Sequence, residues 1–219
     1  MNQNQLKQQA AEAALKYIPK NGVLGVGTGS TVNYFIDALA AIKNQIEYAV
    51  ASSVATEKLL RERNIPVADL NAVNNVDVYI DGADEANIYR YLIKGLGGAL
   101  TREKIIATVA KKFVCIIDES KQVEILSRDA PVPVEVIPMA RGYVSRQLVQ
   151  LGGTPVYREG AKTDNGNIIL DVFNLKILDP VAMENSIKQL TGVIDSGIFA
   201  KRPADILLVA TQTGVNIID

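Results

Sequence analysis

Apolar residues recur along this chain with two alternating periods. Over residues 5–18, Leu6, Ala10, Ala13, Ala14, Tyr17 and Ile18 fall at helical spacing, and Pro19-Lys20-Asn21-Gly22 stops the pattern. Lys7 on this helix reads as a solvated charge. Val23-Leu24-Gly25-Val26 is a short buried strand, and after Gly27-Thr28-Gly29-Ser30-Thr31 a second helix aligns Val32, Phe35, Ile36, Leu39 and Ile42 on one face. Strand Ile46–Ala51 runs into Ser52-Ser53 and a polar helix carrying Thr56, Leu59 and Leu60. Strands Ile65–Ala68 and Val76–Ile80, a helix over 101–112 and strand Phe113–Ile117 follow. Strands alternating with helices, several of them apolar throughout, predict a Rossmann-like α/β fold: a mostly parallel sheet with helices on both faces.

Near Pro131-Val132-Pro133 the pattern changes. Strand Val134–Ile137, a helix through 139–150 and strand Thr154–Arg158 come first. Thr163-Asp164-Asn165-Gly166 is a hairpin signal into strand Asn167–Val172. Pro180 then opens a helix to Leu190, and strand Val193–Phe199 closes the set. That order, β-α-β-β-α-β, predicts a smaller ferredoxin-like α+β domain over 131–204. Asp205–Ala210 (DILLVA) is apolar throughout after its first residue and suits the buried parallel sheet, which places 205–219 with 1–130 in the larger domain.

Composition narrows the function. Of 219 residues, 48% are apolar and 21% charged, enough for a sizeable core. With 23 Lys+Arg against 24 Asp+Glu the net charge is −1, and there is no basic run, so neither nucleic acid nor an anionic membrane is an expected partner. The start of the chain lacks the layout of a signal peptide and no long apolar run appears, so a cytoplasmic protein is expected. Histidine is absent. Acid–base chemistry therefore falls to carboxylates, lysine, tyrosine or the single Cys115, which reads as a core residue. Without His, and with one Cys, no zinc or other transition-metal site is expected.

Five places carry candidate chemistry. Gly25-Val26-Gly27-Thr28-Gly29-Ser30-Thr31 joins a strand to a helix, where amides and hydroxyls can cradle an anion. It matches neither the dinucleotide fingerprint nor a Walker A loop, and a plain capped turn would look similar. Asp81-Gly82-Ala83-Asp84-Glu85 follows the strand Val76–Ile80, at the edge where open α/β sheets bind ligands; such acids can also be a solvated turn. Glu103 shares a helix face with Ile106, Ala107 and Ala110, while Lys104, Thr108 and Lys111 point away. A carboxylate on a packed face is desolvated, which favours a useful base. The simpler alternative is a first-turn acid at the positive end of the helix dipole. Lys94, before Gly95-Leu96-Gly97-Gly98, and Lys121, after Asp118-Glu119-Ser120, can each hold a phosphate or an oxyanion, or lie exposed in loops.

Taken together, GVGTGST at 25–31, DGADE at 81–85, KGLGGALTREK at 94–104, the 118–121 segment and PVEVIPMA at 133–140 resemble the ribose-5-phosphate isomerases of the A type. The resemblance runs in order over essentially the whole chain. It implies an aldose–ketose isomerase interconverting ribose 5-phosphate and ribulose 5-phosphate in the non-oxidative pentose phosphate pathway, without metal or cofactor. It assigns Glu103 as the base acting through an enediolate, with Asp81, Asp84 and Lys94 assisting. Substrate contacts would fall at Thr28, Gly29, Ser30, Thr31, Asp81, Gly82, Ala83, Asp84, Lys94, Gly95, Leu96, Gly97 and Lys121. A homo-oligomer, dimer or tetramer, is the expected assembly. Leu96 departs from the family's run of glycines; were positive φ required there, the strain would be about 1–3 kcal/mol.

Two other classes compete. A sugar-phosphate sensor would not need Glu103 and would normally be fused to a DNA-binding segment, which is not visible. A coenzyme A transferase relative would need a site for a long adenine-bearing ligand, and none is evident.

Overall fold

Side chains alternate across a strand, so a parallel sheet covered on both faces needs apolar residues at every position. In the computed structural model, which describes residues 1–219, this is how the first half folds. Helix α1 (Gln3–Ala14) starts in a capping box between Asn2 and Gln5. Then come β1 (Val23–Val26), α2 (Ser30–Ala40), β2 (Tyr48–Ala51), α3 (Val54–Glu62) and β3 (Val76–Gly82). After the short strands β4 (Glu85–Ala86) and β5 (Leu92–Ile93) lie α4 (Leu100–Val109) and β6 (Ala110–Asp118). The second half supplies β7 (Val132–Val136), α5 (Arg141–Gln150), β8 (Thr154–Tyr157), β9 (Ile168–Phe173), α6 (Pro180–Lys188), β10 (Val193–Ser196), β11 (Ile198–Phe199), β12 (Ile206–Thr211) and β13 (Gly214–Ile218).

Contacts divide the chain into two units, 1–83 with 102–122 and 204–219, and 84–101 with 123–203. The first unit holds a six-stranded sheet in the order β13-β12-β6-β3-β1-β2, parallel except for the edge strand β13. Leu24, Val26, Val78, Ile80, Val114, Ile116, Leu208 and Ala210 share a core with the apolar faces of α1 and α2. The intervening residues Gly25 and Tyr79 face the other way, where Ile106 of α4 lies so close that a Cβ at Gly25 would sit 2.7 Å from it. Helices thus cover both faces of the sheet.

The second unit holds a four-stranded antiparallel sheet, order β10-β7-β9-β8, and a three-stranded one, β11-β5-β4. The connection β7-α5-β8-β9-α6-β10 with that strand order is the ferredoxin-like arrangement expected from the sequence. Val134, Val136, Leu170 and Val172 of the sheet pack with Val144 and Leu148 of α5 and Ile187 of α6. The turn at Thr163–Gly166 forms, with Gly166 N–H donating to the Thr163 carbonyl at 2.9 Å.

Four expectations need correction. The boundaries 1–130 with 205–219 and 131–204 miss that 84–101 and 123–130 group with the smaller unit, because β5 pairs with β11 and Ile93 enters its core. The helix expected over 101–112 ends at Val109, since Ala110 and Lys112 pair with Val76 and Val78 of β3. Ile65–Ala68 makes only one bridge, Ala49 to Val67; Pro66 has no N–H to give a ladder. The strand expected over Val193–Phe199 breaks at Gly197, where it passes from β7 to β5. No helix is long and apolar enough to cross a membrane.

Candidate active site

In the first unit the neighbouring parallel strands end on one edge, and each is followed by polar residues: Gly27–Thr31 after β1, Ser52-Ser53 after β2, Asp81-Gly82 at the end of β3, and Lys121 in the turn after β6. Strand β1 lies between β2 and β3, so the chain reverses its direction of travel across the sheet at β1/β3. Ligands bind open α/β sheets at such a point, beyond the carboxyl ends.

Asp81 organises this edge. It is fully buried, and Oδ1 accepts from the backbone N–H groups of Thr28 at 3.1 Å and Gly82 at 2.7 Å. Oδ2 accepts from the hydroxyl of Tyr79. Gly27 is a glycine because of this approach: a Cβ there would stand 1.8 Å from Asp81 Oδ1. The other side of the turn is tied by hydroxyls. Thr56 Oγ1 donates to the Gly27 carbonyl at 2.7 Å, and Thr28 Oγ1 lies 2.8 Å from both Ser52 and Ser53. Thr28 therefore spends its N–H and its hydroxyl on the protein, whereas Gly29 and Ser30 are exposed and Thr31 is half-buried at the start of α2. A Cβ on Gly29 would meet nothing within 4 Å, but at φ 127° the backbone is one that side chains disfavour.

Glu103 sits in the first turn of α4 and is only 3% exposed, buried with Ile106 and Ala107, while Thr108 is exposed. The side chain is thus on the packed face, as the spacing predicts. Burial, then the charges of Asp81 and Glu103, push the Tyr79 phenol well above the usual tyrosine range, so it remains a hydrogen-bond donor. Lys121 is half-buried in its turn, next to Asp118, which caps the turn by accepting from Ser120 N–H.

In the second unit, pairing of Glu85 with Ile93 brings Asp84 and Lys94 to the same end of the β4–β5 hairpin. Asp84 N–H donates to the Ile93 carbonyl at 2.8 Å, and Lys94 N–H to the Gly197 carbonyl at 2.9 Å. Gly197 must be a glycine there, since a Cβ would lie 2.1 Å from the Lys94 carbonyl oxygen. Lys94 is 2% exposed, its ammonium 5.6 Å from the Phe199 ring centroid, so it is not a solvated loop lysine. Asp84 Oδ2 accepts from Leu96 N–H at 3.0 Å. Arg158, held by a bidentate pair with Asp171, donates to the Leu96 carbonyl at 2.9 Å. Positive φ falls on Gly95 and Gly98 and not on Leu96, so the leucine carries no backbone strain. Leu96 and Gly97 are exposed, and Gly95 is buried.

Glu85 does not join the candidate acids. Its buried carboxylate accepts from the backbone N–H groups of Ser127, Arg128, Asp129 and Ala130, which makes it the clamp of that loop. Sequence reasoning also misses Tyr79, Arg158 and the Ser52-Ser53-Thr56 hydroxyls. Only Tyr79 carries a signal, its two-residue spacing from Asp81 on one strand. No group of three or more His, Cys, Asp or Glu side chains is gathered as metal ligands would be.

The sequence profile of ribose 5-phosphate isomerase A (phosphoriboisomerase A) matches residues 48–214. Among solved structures, ribose 5 phosphate isomerase A from Neisseria gonorrhoeae is 47% identical with a TM-score of 0.97, over 99% of this chain and 97% of that one. A D-ribose-5-phosphate isomerase in complex with phospho-erythronic acid is 41% identical with a TM-score of 0.96, over the full length of both chains. The Methanocaldococcus jannaschii ribose 5-phosphate isomerase A is 37% identical with a TM-score of 0.93, also over both full lengths. Family profile, identity and full-length superposition agree, and the chain belongs to the ribose 5-phosphate isomerase A family, with the isomerisation of ribose 5-phosphate as its activity.

Proposed function

We propose that Glu103 is the base of this isomerisation. Its carboxylate takes the proton from C2 of the open-chain aldose, leaving an enediolate with the charge on O1; the O2 hydroxyl proton passes to O1, and the resulting acid returns the carbon proton to C1 to give the ketose. Lys94 and backbone amides stabilise the charge that develops on oxygen. Asp81 and Asp84 assist ring opening and accept from sugar hydroxyls. The sugar phosphate is held through Thr28–Thr31, Asp81–Asp84, Lys94–Gly97 and Lys121. Because Thr28 is already engaged inside the protein, the turn offers an anion the N–H groups of 29–31 and the hydroxyls of Ser30 and Thr31. A relative binds phospho-erythronic acid, and a phosphorylated acid of that size suits an anion-binding turn and a buried lysine. We further propose that the protein assembles as a homodimer or homotetramer.

The observation that carries the reading is the burial of Glu103 in the first turn of α4, a place where a merely dipole-stabilising acid would be solvated. Glu103→Gln preserves shape and cannot take the proton. Its kcat should fall by about 10²–10⁴, the usual contribution of general-base catalysis, while phospho-erythronic acid still binds. Wild-type turnover in this variant would overturn the assignment. Activity of the unaltered enzyme should survive exhaustive chelation; loss restored by a divalent ion would transfer Asp81 and Asp84 to a metal site.

A further inference from the structure

Tyr79 and Asp81 stand two residues apart on β3, so both side chains leave the same face of the sheet. Tyr79 is wholly buried, its ring 5.0 Å from that of Phe113, and its hydroxyl donates to Asp81 Oδ2. The other carboxylate oxygen holds the Thr28 and Gly82 N–H groups. We propose that Tyr79 is a positioning residue of the isomerase site: it holds the Asp81 carboxylate, and through it the Gly27-Thr28 turn, in the geometry that binds substrate. The inference rests on the proposal above that Asp81 and the turn belong to that site.

A tyrosine that only filled the core would be served as well by phenylalanine, because burying a hydroxyl is costly unless it is hydrogen-bonded. Here the hydroxyl spans a gap that no solvent reaches, since Asp81 and Tyr79 both have no exposed surface. The groups facing it are Asp81 on its own strand, Glu103 on α4 and the Ser52 hydroxyl after β2. Buried, and with two carboxylates as neighbours, the phenol stays protonated, so it orients and does not shuttle protons. The main path from Tyr79 to the turn runs through Asp81, which holds the Thr28 N–H, and a second runs through Ser52, whose hydroxyl lies 2.8 Å from Thr28 Oγ1. Removing the hydroxyl takes a donor from Oδ2 and lets the carboxylate turn away from Thr28.

Tyr79→Phe retains the ring and its packing on Phe113. Its kcat/KM should fall about tenfold, the size of one lost hydrogen bond to a charged group, with a similar rise in the calorimetric Kd for phospho-erythronic acid. The melting transition should stay cooperative. Made in an Asp81→Asn background, the same substitution should raise Kd by much less than it does alone, because the main group it acts through is already altered. Wild-type kcat/KM and Kd in Tyr79→Phe, or an equal loss in both backgrounds, sinks the proposal. Asp81→Asn with wild-type kinetics would instead remove Asp81 from the site and defeat the underlying reading. An impaired Asp81→Asn beside an unimpaired Tyr79→Phe defeats only the role of the tyrosine.

Discussion

Gly27 is constrained by a side chain rather than by its own backbone angles. Its φ lies in the ordinary range, yet a Cβ would collide with Asp81 at 1.8 Å from Oδ1 and 2.0 Å from Cγ. Neither the carboxylate nor the turn can yield cheaply, since Asp81 is tied to Thr28, Gly82 and Tyr79, and Gly27 to Thr56 and Ile80. Gly27→Ala should therefore displace the Asp81 carboxylate, with overpacking costing about 1–3 kcal/mol of stability. We expect kcat/KM to drop about tenfold or more, each tenfold being about 1.4 kcal/mol of transition-state stabilisation. Steady-state kinetics on a folded variant checks this, and unchanged kcat/KM would show that Asp81 has room the structure does not offer. Leu96 shows the reverse case. Its place in a glycine-rich run suggests strain, but the chain turns on Gly95 and Gly98, leaving the leucine in ordinary backbone space.

The loop between β5 and α4 is held at the level of elements. Asp84 takes the Leu96 N–H and Arg158 gives to the Leu96 carbonyl, so one residue's backbone is gripped on both sides. Arg158 can do this because Asp171 fixes its guanidinium through two bonds, at 2.8 and 2.5 Å, leaving a third nitrogen for the loop. At the start of α4, Thr101 donates to the buried Glu135 of β7 at 2.5 Å, and Glu135 also accepts from Thr163 and Asn167. Lysine keeps a charge opposite Asp171 but lacks the planar fork. Arg158→Lys should loosen the loop and raise KM for ribose 5-phosphate about tenfold, the worth of a lost charge-assisted hydrogen bond, with a smaller change in kcat. An unaltered KM would mean the loop is held without Arg158.

On the scale of the whole molecule, the proposed self-association would draw on apolar side chains that stand exposed in this chain. Met139 is 96% and Leu178 85% exposed, and Ile88 and Tyr89 are exposed together at the tip between β4 and β5. A contiguous apolar patch marks an association surface, whereas singly exposed apolar side chains do not, so the mass of the particle in solution decides the matter. Sedimentation equilibrium at micromolar concentration should return two or four times the 23.7 kDa chain mass, and Met139→Glu should shift that equilibrium toward monomer. A species of 23.7 kDa throughout would remove the oligomer from the description.

The alternation of apolar strands and amphipathic helices determined the layered α/β architecture, and β-α-β-β-α-β order determined the ferredoxin-like sheet, because period and burial are properties of local sequence. The inward direction of Glu103 was legible for the same reason: Ile106 and Ala107 share its helix face. DGADE was legible as a group at a strand's end, but not the parting of its members. Asp81 became the anchor of a turn 53 residues earlier, while Glu85 became a clamp on backbone 42 to 45 residues later. Pairings at such separations are set by strand order, which no local period encodes. For the same reason the two- and three-residue decisions were made by tertiary structure alone: the short strands β4, β5 and β11, the break at Gly197, and the burial of Lys94 beside them. Segments that short have too few residues to show a period, and only the partners they meet in the folded chain give them a conformation.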